Sequence, residues 1–269
     1  MKANIEQMFL RMEEHGQRDE VVEMHSMFKA MTSDIVTRHA FADSFKYMHE
    51  QSYGKPYYDA SDYLVSLAHY FGNFPLLRIL AGSIPDWITR MLVPSGRDFV
   101  GKQLLNSLPY LKVVINEVLR LHPGTMHRQV RIFPDDQIIY TDKRSGHEYV
   151  LLPGRAYGIS PLGIHMNADT FKDLYEFRPQ RRIDNPKISR AFMTFSRGSR
   201  GCVSLNLARH ELSMILASIF LKYDAYRGWK GPTLELYGTI RGRDINAVMN
   251  YILPFPARGS PGFRIRVRN

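Results

Sequence analysis

Residues 195–222 constrain the fold most, because a loop rich in glycine and arginine runs there into a long helix. The loop, FSRGSRGC, holds the only cysteine of the chain, Cys202. The segment that follows, VSLNLARHELSMILASIFLKY, repeats apolar residues at steps of three and four, which predicts a helix with one apolar face. That face carries Leu205, Ala208, Leu212, Ile215 and Ile219. The pattern therefore places the one thiol of the chain at the start of a core-forming helix.

Helical periodicity dominates the first hundred residues, and strand-like segments are confined to the remainder. Residues 21–45 and 107–123 have helical spacing, the latter with prolines near both ends. Further helices are predicted over residues 63–71 and 84–92. Short strands are predicted in residues 126–133, 136–142, 147–154, 234–240 and 262–269. Residues 175–183 are predicted to be extended. The expected class is mainly α with small β-sheets (α+β).

Composition and charge narrow the classes of function. Apolar residues make up 44% of the 269 residues and charged residues 23%, as in folded, soluble proteins. The formal net charge of +10 keeps nucleic-acid binding as an alternative, but the basic residues are scattered and form no recognisable motif. We therefore expect no nucleic-acid partner. One cysteine excludes an intrachain disulfide and a zinc or iron–sulfur site built from cysteines alone.

Cys202 is a candidate metal ligand, a candidate nucleophile or an inert core residue. Two glycines precede it, so the backbone can turn sharply and approach a bound group closely. Arg197, Arg200 and the predicted helix N-terminus favour the thiolate form. A nucleophile would need a base, and the nearest histidine in sequence, His210, lies about two helical turns away. The residue types alone leave the three roles open.

The loop resembles the haem-binding signature F-x-x-G-x-R-x-C-x-G of cytochromes P450. It matches at Phe195, Gly198, Arg200 and Cys202, and Ser204 replaces the final glycine. In that family the cysteine sulfur is the axial ligand of the haem iron, the arginine bonds a haem propionate and the phenylalanine packs beside the sulfur. The resemblance implies that Cys202 is the metal ligand and that a thiolate-ligated haem (iron protoporphyrin IX) is the cofactor.

Glu117 and Arg120 form a second motif, three residues apart on the predicted helix. A surface pair at this spacing contributes only about 0.3 kcal/mol. Glu117 shares its helical face with apolar residues, however, and a carboxylate there needs a partner. Those residues are Tyr110, Val113, Val114 and Leu121. The pair resembles the E-x-x-R motif of the same family, and FRPQR at residues 177–181 resembles its P-E-R motif with glutamine for glutamate. Arg181 is the implied third member of a structural trio.

The sequence between these motifs also resembles that of the family. His127 and Arg128 lie where the family often places a basic residue towards a haem propionate, which implies that Arg128 binds the cofactor. Residues 149–171 resemble the family's strand, proline–glycine turn and histidine-bearing segment. The members that the chain resembles most are fungal enzymes of secondary metabolism.

Two parts of the family pattern are missing from the sequence. The N-terminal region, with a membrane anchor and a W-x-x-x-R helix, is expected to precede Met1. The distal helix with its [AG]-G-x-[DE]-T motif is expected near residues 99–104, where no such motif occurs, and residues 81–85 lack its acid and its threonine. No catalytic residue is therefore assigned. We expect a partial cytochrome P450 fold, one incomplete domain with a helical remnant of the substrate-side half (residues 1–104) and the haem-binding half (residues 105–269).

The resemblance implies a haem-thiolate monooxygenase that oxidises an apolar small molecule, such as a terpenoid or another secondary metabolite. The sequence has no dinucleotide-binding motif, so an NADPH-dependent reductase is the implied electron donor. The alternative is a truncated, non-catalytic haem-binding or inactive remnant of such an enzyme. Family members usually lie on the endoplasmic-reticulum membrane. This sequence shows no anchor, which places the chain, as an expectation, in the cytoplasm.

Overall fold

The computed structural model describes residues 1–63, 109–228 and 231–268, which belong to two compact units. The first unit takes in Met1–Asn116 and Val203–Asn269, and the second takes in Glu117–Cys202. The predicted boundary at residue 104 lies outside the described residues. So do the predicted helix over residues 84–92 and most of the one over residues 63–71.

Helices account for most of the regular structure. They are α1 (Lys2–Gln17), α2 (Met24–Phe41), α3 (Pro109–Leu121), α4 (Pro161–His165), α5 (Arg181–Asp184) and α6 (Leu205–Lys222). Short 3₁₀ turns cover Tyr47–His49, Pro186–Ala191 and Gly198–Arg200, and a π turn covers Arg241–Ile245. Residues 55–63 are helical up to the end of the described segment. None of the described helices is both long enough and apolar enough to cross a membrane.

The strands form four small sheets. They are β1 (Val22–Glu23), β2 (Gln129–Ile132), β3 (Ile138–Thr141), β4 (Glu148–Leu151), β5 (Ala156–Ile159), β6 (Asp224–Ala225), β7 (Thr233–Leu236), β8 (Met249–Tyr251), β9 (Leu253–Phe255) and β10 (Arg264–Arg268). In the first unit β10 lies between β1 and β7, antiparallel to both, and β6 joins β7 in parallel. β8 and β9 form a separate hairpin there. In the second unit β2 pairs with β5 and β3 with β4, both antiparallel.

The first unit has an apolar core in which methionine predominates. We call this set the methionine core: Met8, Met12, Met24, Met27, Met31 and Met48, each at most 2% exposed. Ile215 and Ile219 of α6 and Val267 of β10 pack into the same core. Methionine is unbranched and flexible, so it fills the irregular space where helices meet a small sheet. The core thus closes around α1, α2, α6 and β10.

The predicted class, mainly α with small sheets, is confirmed. The helices predicted over residues 107–123 and 203–223 are α3 and α6; α3 ends two residues earlier than expected, and α6 begins two residues later and ends one earlier. Each of the five predicted strand segments overlaps a strand, whereas β1, β5, β6, β8 and β9 were not predicted, and β1 lies within residues 21–45, where a helix was expected. Residues 175–183 are not extended throughout, because α5 begins at Arg181. Tyr110, expected on the buried face of α3, is 60% exposed.

Candidate haem-thiolate site

Cys202 ends a tight loop that begins at Phe195. The backbone N–H of Cys202 donates a hydrogen bond to the Phe195 carbonyl at 2.8 Å. Inside the loop, the N–H of Gly201 donates to the Gly198 carbonyl at 3.0 Å. The φ angles of Ser196 and Gly198 are 60° and 74°, in the left-handed region that glycine adopts without strain. The backbone therefore turns back on itself, and glycine at position 198 suits that turn.

The Cys202 side chain is exposed, and so is the chain on either side of it. A methyl group added at Gly198 would meet no heavy atom within 4 Å. Val203, the next residue, is 99% exposed. Ser204, which replaces the last glycine of the signature, is exposed and precedes α6 without making a capping hydrogen bond through its side chain. The loop thus presents its sulfur on an open surface.

Two exposed arginines accompany the exposed sulfur. Arg200 follows Gly198 within the loop, and Arg128 immediately precedes β2. Neither arginine takes part in an ion pair with any other residue that the structure describes. Gly158 of β5 lies beside Arg128, and a methyl group there would come within 3.1 Å of the arginine Cβ. An accessible sulfur, an open loop and two unpaired guanidinium groups fit a haem, which offers iron to the sulfur and two propionates to the arginines.

Glu117 and Arg120 form a two-point ion pair on α3. The Nε and Nη2 atoms of Arg120 lie 3.1 Å from Oε2 and 2.9 Å from Oε1 of Glu117, respectively. Both residues are fully buried. Removing two charges from water is costly, so such a pair persists only where further hydrogen bonds satisfy its remaining groups.

Two further arginines complete this buried group. Nε of Arg181 donates to Oε1 of Glu117 at 2.9 Å, so the structure brings the three residues of the predicted trio together. Nε of Arg182 lies 3.9 Å from Oε2 of the same carboxylate. Burial lowers the pKa of Arg182 to about 10. Sequence reasoning missed Arg182, although the Arg-Arg pair after the motif offered two candidates. We call Glu117, Arg120, Arg181 and Arg182 the Glu117 cluster.

Backbone carbonyls accept hydrogen bonds from the guanidinium groups of Arg120 and Arg181 in this cluster. Arg120 donates to the carbonyls of His165, Leu174 and Glu176, at 3.2, 2.9 and 3.3 Å. Arg181 donates to the carbonyls of Lys172, Asp173 and Glu176, the last two at 3.1 and 3.3 Å. These bonds tie residues 172–176, an irregular stretch, to α3 and α5.

Gln180 stands where the resembling family has glutamate. Its side chain is exposed and bonds the Asp184 carboxylate at 3.3 Å, away from the Glu117 cluster. The neighbouring backbone N–H of Arg178 points instead to Glu117 Oε1, at 3.4 Å. The change from glutamate to glutamine therefore leaves the cluster intact.

His165, at the end of α4, is fully buried beside the Glu117 cluster. Its Nε2 faces the backbone N–H of Met193 at 2.9 Å, so Nε2 is the acceptor and the neutral ring carries its proton on Nδ1. Burial, together with the charges of Arg120 and Arg182, lowers the pKa of His165 to about 4. The imidazole is therefore neutral, and able to accept a hydrogen bond, at physiological pH.

Of the predicted cofactor residues, Phe195 packs against a neighbouring ring, whereas Cys202, Arg200 and Arg128 are exposed. Phe195 is half-buried, with its ring 6.3 Å from that of Phe192 in an edge-on arrangement. Among the described residues no hydrogen bond or ion pair joins Cys202, Arg200 and Arg128 to one another. In the described ranges no three His, Cys, Asp or Glu side chains gather to hold a bare metal ion. The positions examined for a distal motif, residues 81–85 and 99–104, lie outside the described residues.

A cysteine loop that leads into a long helix, beside a buried Glu–Arg–Arg cluster, is the arrangement of a haem-thiolate protein. Residues 91–226, half of the chain, match the cytochrome P450 family. The chain belongs to that family, and its cofactor is accordingly a thiolate-ligated haem.

Curated relatives are fungal. The chain is 38% identical over 182 residues to the cytochrome P450 monooxygenase astB of Talaromyces wortmannii, covering 65% of this chain and 36% of that protein. It is 35% identical over 165 residues to the fusicoccadiene C-8 hydroxylase of Phomopsis amygdali, covering 61% and 29%. It is 39% identical over 163 residues to the monooxygenase oblB of Emericella variicolor, covering 60% and 27%. The matched regions thus span about a third of the length of these relatives.

The fold also matches a solved structure. A cytochrome P450 described as CYP102L1 superimposes with a TM-score of 0.62 at 17% identity, covering 99% of this chain and 73% of that one. At this identity the match shows the fold alone, and it agrees with the partial cytochrome P450 fold expected from the sequence.

Proposed function

We propose that this chain supplies the haem-thiolate half of a monooxygenase that oxidises an apolar small molecule. The observation that carries the proposal is the exposed Cys202, held in a tight glycine loop that also carries the exposed Arg200. The Glu117 cluster donates one bond to the His165 carbonyl in α4 and five to the irregular backbone after it, and so supplies a rigid base for that half. Catalytic residues on the oxygen side are not assigned.

Each predicted cofactor residue has a distinct task in this proposal. Cys202 binds the haem iron through its sulfur. Arg200 and Arg128 bind the propionates, because an unpaired guanidinium is the best partner for a carboxylate. Gly198 gives the loop its left-handed turn, and the Phe195 carbonyl holds the Cys202 N–H, while its ring is assigned to the sulfur by the family resemblance alone.

When bound, a thiolate-ligated haem supplies the oxygen chemistry: one atom of O₂ enters the substrate and the other leaves as water, with two electrons and two protons consumed. The protein's part is to hold the sulfur as a ligand and to fix the orientation of the haem through its propionates. The Cys202 N–H donates to Phe195, not to solvent, so the backbone next to the sulfur is fixed before haem binds.

The substrate class follows from the relatives and stays a proposal. One relative is named as a hydroxylase of fusicoccadiene and another as a stellatic acid synthase. We propose a terpenoid or a similar apolar secondary metabolite as the substrate. Because the sequence has no dinucleotide-binding motif, the electrons come in this proposal from a separate NADPH-dependent reductase. The net charge of +10 suits an acidic surface on that partner.

The test is reconstitution of the full chain with haem, a fungal P450 reductase, NADPH and O₂, followed by mass spectrometry on a panel of terpene hydrocarbons. We expect a product one oxygen atom heavier than its substrate, absent from the Cys202→Ala variant. A chain that binds haem and forms no product would support the alternative, a non-catalytic haem-binding protein. A chain that takes up no haem would contradict the proposed function and would favour the inactive remnant instead.

The propionate assignment has its own control within the loop. Arg197 and Arg200 are both exposed, but Arg197 already donates to the Ser189 carbonyl at 3.0 Å. We expect Arg200→Gln to weaken haem binding about tenfold, the loss of one charge-assisted hydrogen bond. Arg197→Gln should change the haem affinity less than twofold. Equal effects of the two substitutions, measured by haem titration, would contradict the assignment of Arg200.

A further inference from the structure

The four residues Phe192–Phe195 lead into the Cys202 loop, and side-chain bonds fix them from outside. The Met193 N–H donates to Nε2 of His165 at 2.9 Å. The Thr194 hydroxyl donates to the Leu119 carbonyl on α3 at 3.0 Å. The segment then ends at Phe195, whose carbonyl accepts from Cys202. The position of the sulfur therefore depends on where this segment is held.

His165 is itself held by the Glu117 cluster. Arg120 donates to the His165 carbonyl at 3.2 Å, which fixes the backbone of the histidine. The imidazole stacks on the ring of Phe192, with centroids 5.7 Å apart and an interplanar angle of 18°. The guanidinium of Arg182 lies 4.9 Å from the centroid of the same ring. A continuous set of contacts thus runs from the cluster through His165 to the segment that precedes the cysteine.

We propose that His165 is a positioning residue for the haem ligand: by accepting the Met193 N–H it holds residues 192–195 where Cys202 can reach the iron. The inference rests on the proposed function, since it treats Cys202 as a ligand. His165 lies 37 residues before Cys202 in the sequence and makes no contact with the sulfur itself, so it acts through the backbone.

Only a neutral imidazole can accept the Met193 N–H in these surroundings. The groups that face His165 are Glu117 and Arg120 from α3 and Arg182 from α5, an excess of positive charge. A proton on Nε2 would point at the Met193 N–H and add a cation to that excess. The lowered pKa of His165 prevents this at physiological pH. A buried N–H left without an acceptor would cost the segment its native position.

Two substitutions separate the hydrogen bond from the packing. His165→Gln places an amide oxygen at about the distance of Nε2 from the backbone, so it keeps the acceptor and loses the ring. His165→Phe keeps a ring against Phe192 and loses the acceptor. The first readout uses the full chain without haem, by hydrogen exchange of residues 192–203, with Met24–Phe41 as the control region. We expect exchange to rise about tenfold in the Phe variant and less than twofold in the Gln variant, with α2 unchanged.

The second readout is the absorption spectrum of each haem-reconstituted variant, reduced and exposed to carbon monoxide. We expect the Phe variant to bind haem but to lose most of the red-shifted, thiolate-ligated band, and the Gln variant to retain it. Native exchange in the Phe variant, or faster exchange throughout the chain in both variants, would overturn the positioning role. A native chain that takes up no haem would contradict the proposed function instead, whatever the exchange results show.

Discussion

The two compact units are stabilised in different ways. In the first unit the largest fully buried side chains are methionines, whereas in the second they are Arg120, Phe171, His165 and Glu117. Contacts in the methionine core have no direction, and a flexible thioether adapts to small changes of shape. Contacts in the Glu117 cluster are directional, since the N–H groups of Arg120 and Arg181 donate to particular oxygens.

Because of this difference, we expect the two units to tolerate substitutions of their buried residues to different extents. An apolar core loses stability in proportion to the volume removed, and it accepts exchanges of similar size. A buried ionic cluster fails when one partner is lost, because the remaining charges stay buried without compensation. The cysteine loop belongs to the unit of the second kind, so we expect haem binding to be far more sensitive to the Glu117 cluster than to the methionine core.

The largest effect is expected from Glu117→Gln. The substitution removes the carboxylate that contacts Arg120, Arg181 and Arg182. We expect a loss of about 4 kcal/mol in the free energy of unfolding, measured by urea denaturation, together with loss of haem uptake. Asp173→Asn is the control, because the carboxylate of Asp173 pairs with Arg178 at 3.5 Å in a half-exposed position. The control should lose at most about 1 kcal/mol. Equal losses would show that burial of the pair is unimportant.

Met27 gives the corresponding test of the first unit. It is fully buried in the methionine core, so Met27→Ala should cost about 3 kcal/mol through lost burial and a cavity. Met27→Leu, which keeps the volume, should cost less than about 1.5 kcal/mol. Both variants should take up haem as the native chain does when measured below their unfolding transitions. Weaker haem binding in the leucine variant would break the proposed contrast between the units.

Glu211 is a buried carboxylate of the first unit, and it contrasts with Glu117 of the second unit. This carboxylate is 6% exposed on α6, and its Oε1 has no hydrogen-bond partner in the described part of the chain. Burial raises its pKa to about 7, above the value of 4.5 expected for an unfolded chain. The folded state therefore holds the proton more tightly, and this group's contribution to stability falls as the pH rises from about 4.5 to about 7.

We therefore expect Glu211→Gln to stabilise the chain at pH 8 by about 2 kcal/mol and to have little effect at pH 4. The same chemical change thus destabilises at Glu117 and stabilises at Glu211. Urea denaturation at both pH values measures the difference. A variant that is less stable than the native chain at pH 8 would mean that the Glu211 carboxylate has a stabilising partner.

Much of the second unit could be predicted from short motifs. The resemblance of Glu117–Arg120 and of residues 177–181 to two family motifs implied the members of the buried trio, and the structure brings them together. The glycine loop around Cys202 was predictable because a left-handed backbone position favours glycine, and glycine can be read directly from the sequence. These features depend on local backbone geometry and on residue types with few alternatives.

Tertiary contacts were less predictable. His165 and Arg182 join the site through contacts with residues far away in the sequence, which neither the histidine-bearing segment nor the Arg-Arg pair specifies. Glu211 lies on the face of α6 that the periodicity assigned to apolar residues, because the buried stripe runs through Glu211, Ile215 and Ile219. Whether a polar side chain is buried depends on its tertiary surroundings. The periodicity of apolar residues along a helix contains no information about those surroundings.

The most direct test of the central claim is the absorption spectrum of the haem-reconstituted chain, reduced and exposed to carbon monoxide, beside that of Cys202→Ala. The account predicts a strongly red-shifted Soret band in the native chain, the mark of a thiolate-ligated carbonyl complex, and loss of that band in the variant. A band that the substitution leaves unchanged would contradict the assignment of Cys202 as the iron ligand.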